Sequence, residues 1–145
     1  MAGKLKVDTV QGETNFKINI GETTFCTVES GGVSSFTGAQ RGAVSTLSIV
    51  SSNVTPDFAS NNFFTLTLDD SVTFQAPTNL VPGQAGVIFL VQDATGSRTA
   101  SFNTYYKFPE GTAPTLSTAA NTVDMMTYVV KSSTEILSDV VLNIS

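Results

Sequence analysis

Short segments in which apolar and polar residues alternate, each closed by Gly, Pro, Asn or Asp, most constrain how this chain can fold. In residues 16–20, Phe16, Ile18 and Ile20 alternate with polar residues, as expected of a strand with one buried face. Residues 63–68 repeat the pattern, and the β-branched and aromatic residues that fill such segments favour a pleated sheet. No segment shows a sustained helical period with capping residues. The sequence therefore predicts an all-β fold.

A polar segment rich in serine and glycine, residues 30–41, divides the chain into two parts. Before it, the alternation in residues 4–10 predicts an extended arm, and the turn that begins at Gly21 predicts a hairpin. We therefore predict an N-terminal arm, hairpin and linker over residues 1–41, used for assembly contacts. The compact body is expected over residues 42–145.

Within the body, short strand-like segments follow one another at regular spacing and are separated by turn residues. This spacing is typical of a β-sandwich or a jelly roll. The nearly continuous apolar run at residues 86–92 predicts a central strand that is covered on both faces. Residues 93–97 are expected to form a hairpin turn after it. We therefore predict a β-sandwich or jelly-roll-like body that carries an extended N-terminal arm and hairpin.

Charged residues make up only 13% of the chain, about half of the roughly 25% that is usual in soluble domains. The net charge is −5, so we expect neither a nucleic-acid partner nor a polybasic membrane contact. The longest apolar run, residues 87–91, is too short to span a bilayer, and the N-terminus has no apolar core typical of a secretory signal. A surface dominated by Ser, Thr, Asn and Gly suits packing against neighbouring subunits.

The residue types that most catalytic and metal sites need are scarce. The chain has one cysteine, Cys26, and no histidine, which excludes a disulfide framework and a Ser-His-Asp triad. Asp69 with Asp70, or Glu22 with Glu29, would be a candidate glycosidase pair, but the adjacent aspartates are more simply turn residues. Calcium-loop and phosphate-loop patterns are absent. We therefore predict a non-enzymatic protein with no catalytic residues, no cofactor and no metal.

Two groups of residues are candidates for contacts with a partner. A strand at the N-terminus exposes unpaired backbone groups, so we expect Leu5, Val7 and Val10 to face another subunit. Tyr105 and Tyr106 could face a ligand and stack on a sugar ring. The alternative is a strand with one aromatic residue inside the core and one outside, and this alternative is favoured.

Two longer segments, residues 77–99 and 108–124, resemble β-rich modules of tailed-bacteriophage virion proteins, many of which belong to tail fibres. The preceding residues 55–66 fit the same module, and residues 5–10 resemble the starts of small structural phage proteins. The resemblance covers residues 54–142 and the arm. It implies a virion structural protein, a homotrimer, and other virion proteins such as the major capsid protein as partners.

The chain is short for a tail fibre and has neither a stalk nor a coiled coil. This favours a capsid decoration (cement) or head-fibre subunit that is anchored by its N-terminal arm on the capsid surface rather than on the tail. The alternative is a tail-fibre receptor-binding module that recognises a host surface glycan. A depolymerase is a third, weaker hypothesis.

Overall fold

The computed structural model describes residues 41–144 and, before them, the strand residues 15–20, 23–29 and 34–35. The chain divides into two compact units, Met1–Arg41 and Gly42–Ser145. The boundary between the two units lies at the end of the polar segment, residues 30–41. The assembly role assigned to the first unit stays a prediction.

Three strands form one sheet among the described residues of the first unit. β1 (Asn15–Ile20) pairs antiparallel with β2 (Thr23–Glu29), and β2 pairs antiparallel with β3 (Ser34–Ser35). The register shifts between Ile18 and Asn19, as in a β-bulge. The hairpin predicted for this part of the chain is therefore present.

The body is built of nine short strands and one 3-10 turn within residues 41–144. Each strand ends at or near a Gly, Asn, Asp or Ser turn, as the sequence indicates. The strands are β4 (Val44–Thr46), β5 (Asn53–Val54), β6 (Phe63–Leu68), β7 (Val72–Phe74), β8 (Ala85–Gln92), β9 (Ala100–Phe102), β10 (Tyr106–Lys107), β11 (Val123–Ser132) and β12 (Glu135–Val141), and the 3-10 turn is Pro109–Gly111.

Successive strands of the body alternate between two sheets. β4, β6 and β8 pair in parallel in the first sheet, and β5, β7 and β9 pair in parallel in the second. The chain therefore runs as a coil that places one strand in each sheet per turn, in stacked layers. Phe63 pairs with Val87 in the first sheet, and Phe74 pairs with Phe102 in the second.

An antiparallel hairpin closes one end of this coil. β11 pairs with β8, β12 pairs with β11, and β10 runs parallel to β12, which gives the first sheet the order β10-β12-β11-β8-β6-β4. At the other end, β4 and β5 are the edge strands of the two sheets in the described part of the chain. We call this end the open end.

The hydrophobic core fills the space between the two sheets. Phe64, Leu66 and Leu68 of β6 are at most 1% exposed, as the alternation in residues 63–68 predicts. From the second sheet, Val54 and Phe74 are fully buried against them. Burial of each such side chain stabilises the fold by about 1.5–3 kcal/mol. The all-β class predicted from the sequence is confirmed.

Within each sheet, strands from successive turns of the coil pair in parallel, whereas neighbouring strands of a jelly roll are antiparallel. The hairpin turn expected at residues 93–97 is wrong, because this segment turns a corner from β8 into the other sheet. The N–H of Ser97 donates to the carbonyl of Thr118 (2.7 Å) and holds the segment there, and the chain that follows joins β7 through the N–H of Val72, which donates to the carbonyl of Thr99 (2.9 Å).

The apolar strand β8 lies in the middle of the first sheet, as predicted. Its inward residues Ile88 and Leu90 are buried in the core. Its outward residues Val87, Phe89 and Val91 are only half-buried. We predicted that β8 is covered on both faces. The body covers its inner face fully and its outer face only in part.

Candidate interaction sites of the body

The two tyrosines singled out in the sequence lie at the start of β10 and differ in burial. Tyr106 is 5% exposed, and its ring centroid lies 5.6 Å from that of Phe102 and 6.0 Å from that of Phe74. Tyr105 is half-buried and packs against the same core. Tyr106 therefore belongs to the aromatic core. A ligand contact of either tyrosine stays a prediction.

The phenol of Tyr106 is buried without a hydrogen-bond partner in the described structure, and so is the hydroxyl of Ser138. Burial raises the pKa of Tyr106 far above its usual value, with a smaller contribution from Tyr128. Burial also raises the pKa of Tyr128 to about 12. Both phenols therefore stay protonated at neutral pH and supply no base or nucleophile.

A groove of about 340 Å³ lies beside this cluster, where the chain leaves β9 and enters the loop after β10. Its wall is aromatic, and its rim carries an amide and a hydroxyl group. We call it the aromatic groove. The residues that matter most for its chemistry are Phe102, Tyr106 and Phe108 in the wall and Asn103, Thr104 and Lys107 on the rim.

A second cavity, of about 560 Å³, lies at the open end between the two sheets. Its floor is the buried ring of Phe64, and its rim carries Ser45, Asn53, Thr55 and Asp57. The amide of Asn79 donates to the Asp57 carboxylate (2.7 Å), and the backbone N–H of Ala59 also donates to it (3.0 Å). These hydrogen bonds, that of Asn79 above all, lower the pKa of Asp57. The sequence offered no signal for this cavity beyond a high density of polar residues.

The adjacent aspartates Asp69 and Asp70 lie at the corner between β6 and β7. The hydroxyl of Ser52 donates to the Asp70 carboxylate at 2.7 Å, and the N–H of Ser71 donates to it at 2.7 Å. The first of these bonds contributes most to lowering the pKa of Asp70. Asp70 therefore stabilises the corner, in agreement with its interpretation as a turn residue.

The corner between β8 and β9 is held by an ion pair and an amide. Arg98 pairs with Asp93 at 2.9 Å and thereby lowers the pKa of that carboxyl. The side-chain amide of Gln92, which is 3% exposed, donates to the carbonyl of Arg98 (2.8 Å) and accepts from its N–H (3.0 Å). The Gln92 side chain thus makes two hydrogen bonds to the backbone of Arg98 at the corner between β8 and β9, which belong to different sheets.

Leu5, Val7 and Val10, the predicted assembly contacts, lie outside the described residues. Among the described residues, His, Cys, Asp and Glu side chains form no group of three or more that could hold a metal ion. A search of the same residues found no helix with the length and apolar character needed to cross a membrane.

Comparison with protein families gives a match over much of the body. Residues 54–134 match the family described as "Putative phage tail fibre C-terminal domain", which is more than half of the chain. The chain belongs to this family. The resemblance to virion modules of tailed phages is therefore confirmed, and it is of the tail-fibre type.

The part that matches the tail-fibre domain begins in β5 and ends in the turn between β11 and β12. It includes the second sheet, the central strands of the first sheet and the aromatic groove. As a tail-fibre domain, the chain is a structural protein of the phage virion. No curated protein and no solved structure matches the chain significantly.

Proposed function

We propose that this tail-fibre domain is a non-enzymatic module of the phage tail that binds a glycan on the bacterial surface. The family match over residues 54–134 carries the proposal, because it covers most of the body and is described by its place in a tail fibre. The body supplies a rigid support for such contacts, since its core is continuous between two sheets.

The aromatic groove is the place where we expect the glycan to bind. Its volume of about 340 Å³ lies at the small end of ligand sites, which suits one or two sugar rings. Aromatic faces such as Phe102 pack against the C–H groups of a sugar, and the rim residues Asn103 and Thr104 offer hydrogen bonds to its hydroxyls. Of the two predicted ligand contacts, Tyr106 is part of the groove wall, and Tyr105 precedes it in the chain.

A glycan array on the purified chain tests this proposal, followed by titration of any sugar that binds. Thr104→Trp places a large side chain on the rim of the groove and is expected to weaken binding by about tenfold or more. Thr95→Trp, at an exposed position in the corner after β8, is the matched control and is expected to bind normally. Equal binding of the sugar by both variants would contradict the proposal. Release of free sugar from a bound polysaccharide would contradict its non-enzymatic part.

The competing proposal is a decoration or head-fibre subunit on the capsid surface. Gold-labelled antibodies against the body, applied to phage particles, separate the two by electron microscopy. We expect label at the tail and none at the head, with antibodies to the major capsid protein as the control for head labelling. Label confined to the capsid would replace the tail assignment by the capsid assignment.

A further inference from the structure

The outer face of the second sheet, formed by β5, β7 and β9, carries uncharged hydrogen-bonding side chains in two rows. The inward side chains Val54, Phe74 and Phe102 pair across the three strands, so the residues on either side of them point outward. The N–H of Gln75 donates to the carbonyl of Val54 and the N–H of Asn103 donates to that of Phe74, both at 2.8 Å, which keeps the strands in step as far as the second row. We call these outward side chains the polar face. Its two rows are Asn53, Thr73 and Ser101, and Thr55, Gln75 and Asn103.

Hydrogen bonds between neighbouring strands hold the side chains of the polar face in place. The hydroxyls of Thr73 and Ser101 lie 2.8 Å apart, and the side-chain amide of Gln75 donates to the side-chain oxygen of Asn53 at 2.6 Å. A hydroxyl has one donor and two acceptor sites, and an amide has two of each, so these pairs keep free sites for a ligand. Side chains that are already ordered lose little entropy when a ligand binds to them.

The polar face connects the two cavities of the body. At one edge, Asn103 lies on the rim of the aromatic groove. At the other edge, Asn53 and Thr55 line the cavity of about 560 Å³ at the open end, which we call the open-end cavity. Only β7 separates the strands β5 and β9, so the two edges are two strand spacings, or about 10 Å, apart. The groove, the polar face and the open-end cavity therefore form one path across the second sheet.

The charges along this path favour an uncharged ligand. The six side chains of the polar face are neutral, and the open-end cavity adds the carboxylate of Asp57. Among the described residues that line the groove and the cavity, Lys107 is the one cation, and it belongs to β10 of the first sheet rather than to the polar face. With a net charge of −5, the chain as a whole repels a polyanion. Sugar hydroxyls both donate and accept, as do the hydroxyls and amides of the polar face.

We propose that the glycan in the aromatic groove is part of a linear, uncharged polysaccharide, whose chain continues over the polar face into the open-end cavity. The inference rests on the proposed function, because it extends the same binding site and names its substrate class. A single terminal sugar would use the groove alone. A polymer offers further sugar rings to the polar face, and contacts that are weak one by one add up along the same molecule.

An array of glucan, galactan and mannan fragments, from single sugars to long oligosaccharides, tests the proposal on the full chain, with calorimetric titration of the fragments that bind. A fragment long enough to cross the polar face is expected to bind on the order of tenfold more tightly than the disaccharide of the same composition. Oligogalacturonates of the same lengths are the acidic comparison and are expected to bind more weakly. Tighter binding of the acidic fragments would overturn the assignment to an uncharged polymer.

Variants along the path locate the polymer. Thr55→Trp, at an exposed position on the rim of the open-end cavity, is expected to weaken long fragments by about tenfold and to leave the disaccharide unchanged. Thr104→Trp in the aromatic groove should weaken both. Thr73→Val removes a hydroxyl from the middle of the polar face at nearly constant volume, and it should weaken long fragments several-fold. Thr134→Trp, exposed in the turn between β11 and β12, is the matched control and should bind all fragments normally.

The outcomes separate this inference from the proposed function. Equal affinity for disaccharides and long fragments, with no effect of Thr55→Trp and Thr73→Val, would overturn the extended site and leave the aromatic groove as the glycan site. Absence of binding by every fragment on the array would overturn the proposed function and this inference together. Circular dichroism and thermal unfolding of each variant show whether a loss of affinity comes from a loss of fold, and an equal loss in Thr134→Trp would overturn the assigned path.

Discussion

The phenol of Tyr128 donates a hydrogen bond of 2.9 Å to the backbone carbonyl of Asn62, directly above Gly86. The same carbonyl accepts from the N–H of Val87 at 3.0 Å. One backbone oxygen thus joins the start of β6 to β8 and to β11. The contact leaves no space for a side chain at position 86, because a Cβ there would lie 1.7 Å from the Asn62 oxygen.

Gly86→Ala is therefore expected to lower the free energy of unfolding by about 3 kcal/mol or more, since backbone atoms must move to relieve the overlap. The control is Gly83→Ala, because Gly83 has a φ of +89° but nothing within 4 Å of a Cβ. That variant should cost only about 1–2 kcal/mol, from the strained backbone alone. Urea unfolding of both variants measures the difference, and equal losses would show that the close contact is not decisive.

Removing the hydroxyl from Tyr128 should destabilise the fold, whereas removing it from Tyr106 should not. Tyr128→Phe loses a hydrogen bond and should destabilise the fold by about 1 kcal/mol. Tyr106→Phe removes a buried hydroxyl without a partner and should leave stability unchanged or raise it by about 1 kcal/mol. Thermal and urea unfolding at neutral pH compare the two. A loss for Tyr106→Phe as large as that for Tyr128→Phe would mean that its phenol has a partner.

The same two phenols should make the fold sensitive to alkali. Burial raises the pKa of Tyr106 and of Tyr128 above the ordinary value of 10.0, in the case of Tyr128 to about 12. Above pH 10 the unfolded chain loses these protons while the folded chain keeps them, so the free energy of unfolding falls as pH rises. The stabilisation that comes from the raised pKa values of these two phenols is complete below pH 10 and is lost towards pH 12 and beyond.

Urea unfolding between pH 8 and pH 11.5 measures this slope, and Tyr106→Phe should have a shallower one than the wild type. Absorbance of phenolate at 295 nm gives an independent measure of which tyrosines ionise before unfolding. If all tyrosines titrate near pH 10 in the folded protein, the predicted slope is absent.

Gln92→Met should destabilise the corner after β8. Methionine keeps the volume but removes both hydrogen bonds to the backbone of Arg98, in a residue that is 3% exposed. The cost is expected to be about 2 kcal/mol. Thr95→Met, an exposed change in the same corner, should cost less than about 0.5 kcal/mol. Faster amide hydrogen exchange at Arg98 in Gln92→Met would locate the effect.

The sequence predicted the strands better than their pairing. The inward positions Phe64, Leu66 and Leu68 follow from alternation alone, because a strand with one buried face has a period of two residues. That period is the same whether the neighbouring strand runs parallel or antiparallel. The parallel coil therefore could not be read from the pattern, and the corner at residues 93–97 was mistaken for a hairpin turn since both use the same turn residues.

The candidate sites were predicted less well, for a related reason. The alternation of Tyr105 and Tyr106 indicates that one ring is inside the core, but which one depends on how β10 pairs with β12. The apolar run around Phe89 predicted cover on both faces, whereas the body covers only the inner face. That difference needed the sheet order to become visible.

The β11–β12 hairpin covers one end of the first sheet, whereas β4 and β5 are the edge strands of the two sheets at the other end of the described body. An additional turn of chain placed before β4 would lengthen the body by about 4.8 Å, and its two strands would pair with the edge strands β4 and β5. The same insertion between β8 and β11 would break an existing sheet. Height is thus the dimension of this fold that an insertion at the open end changes without breaking an existing strand pair.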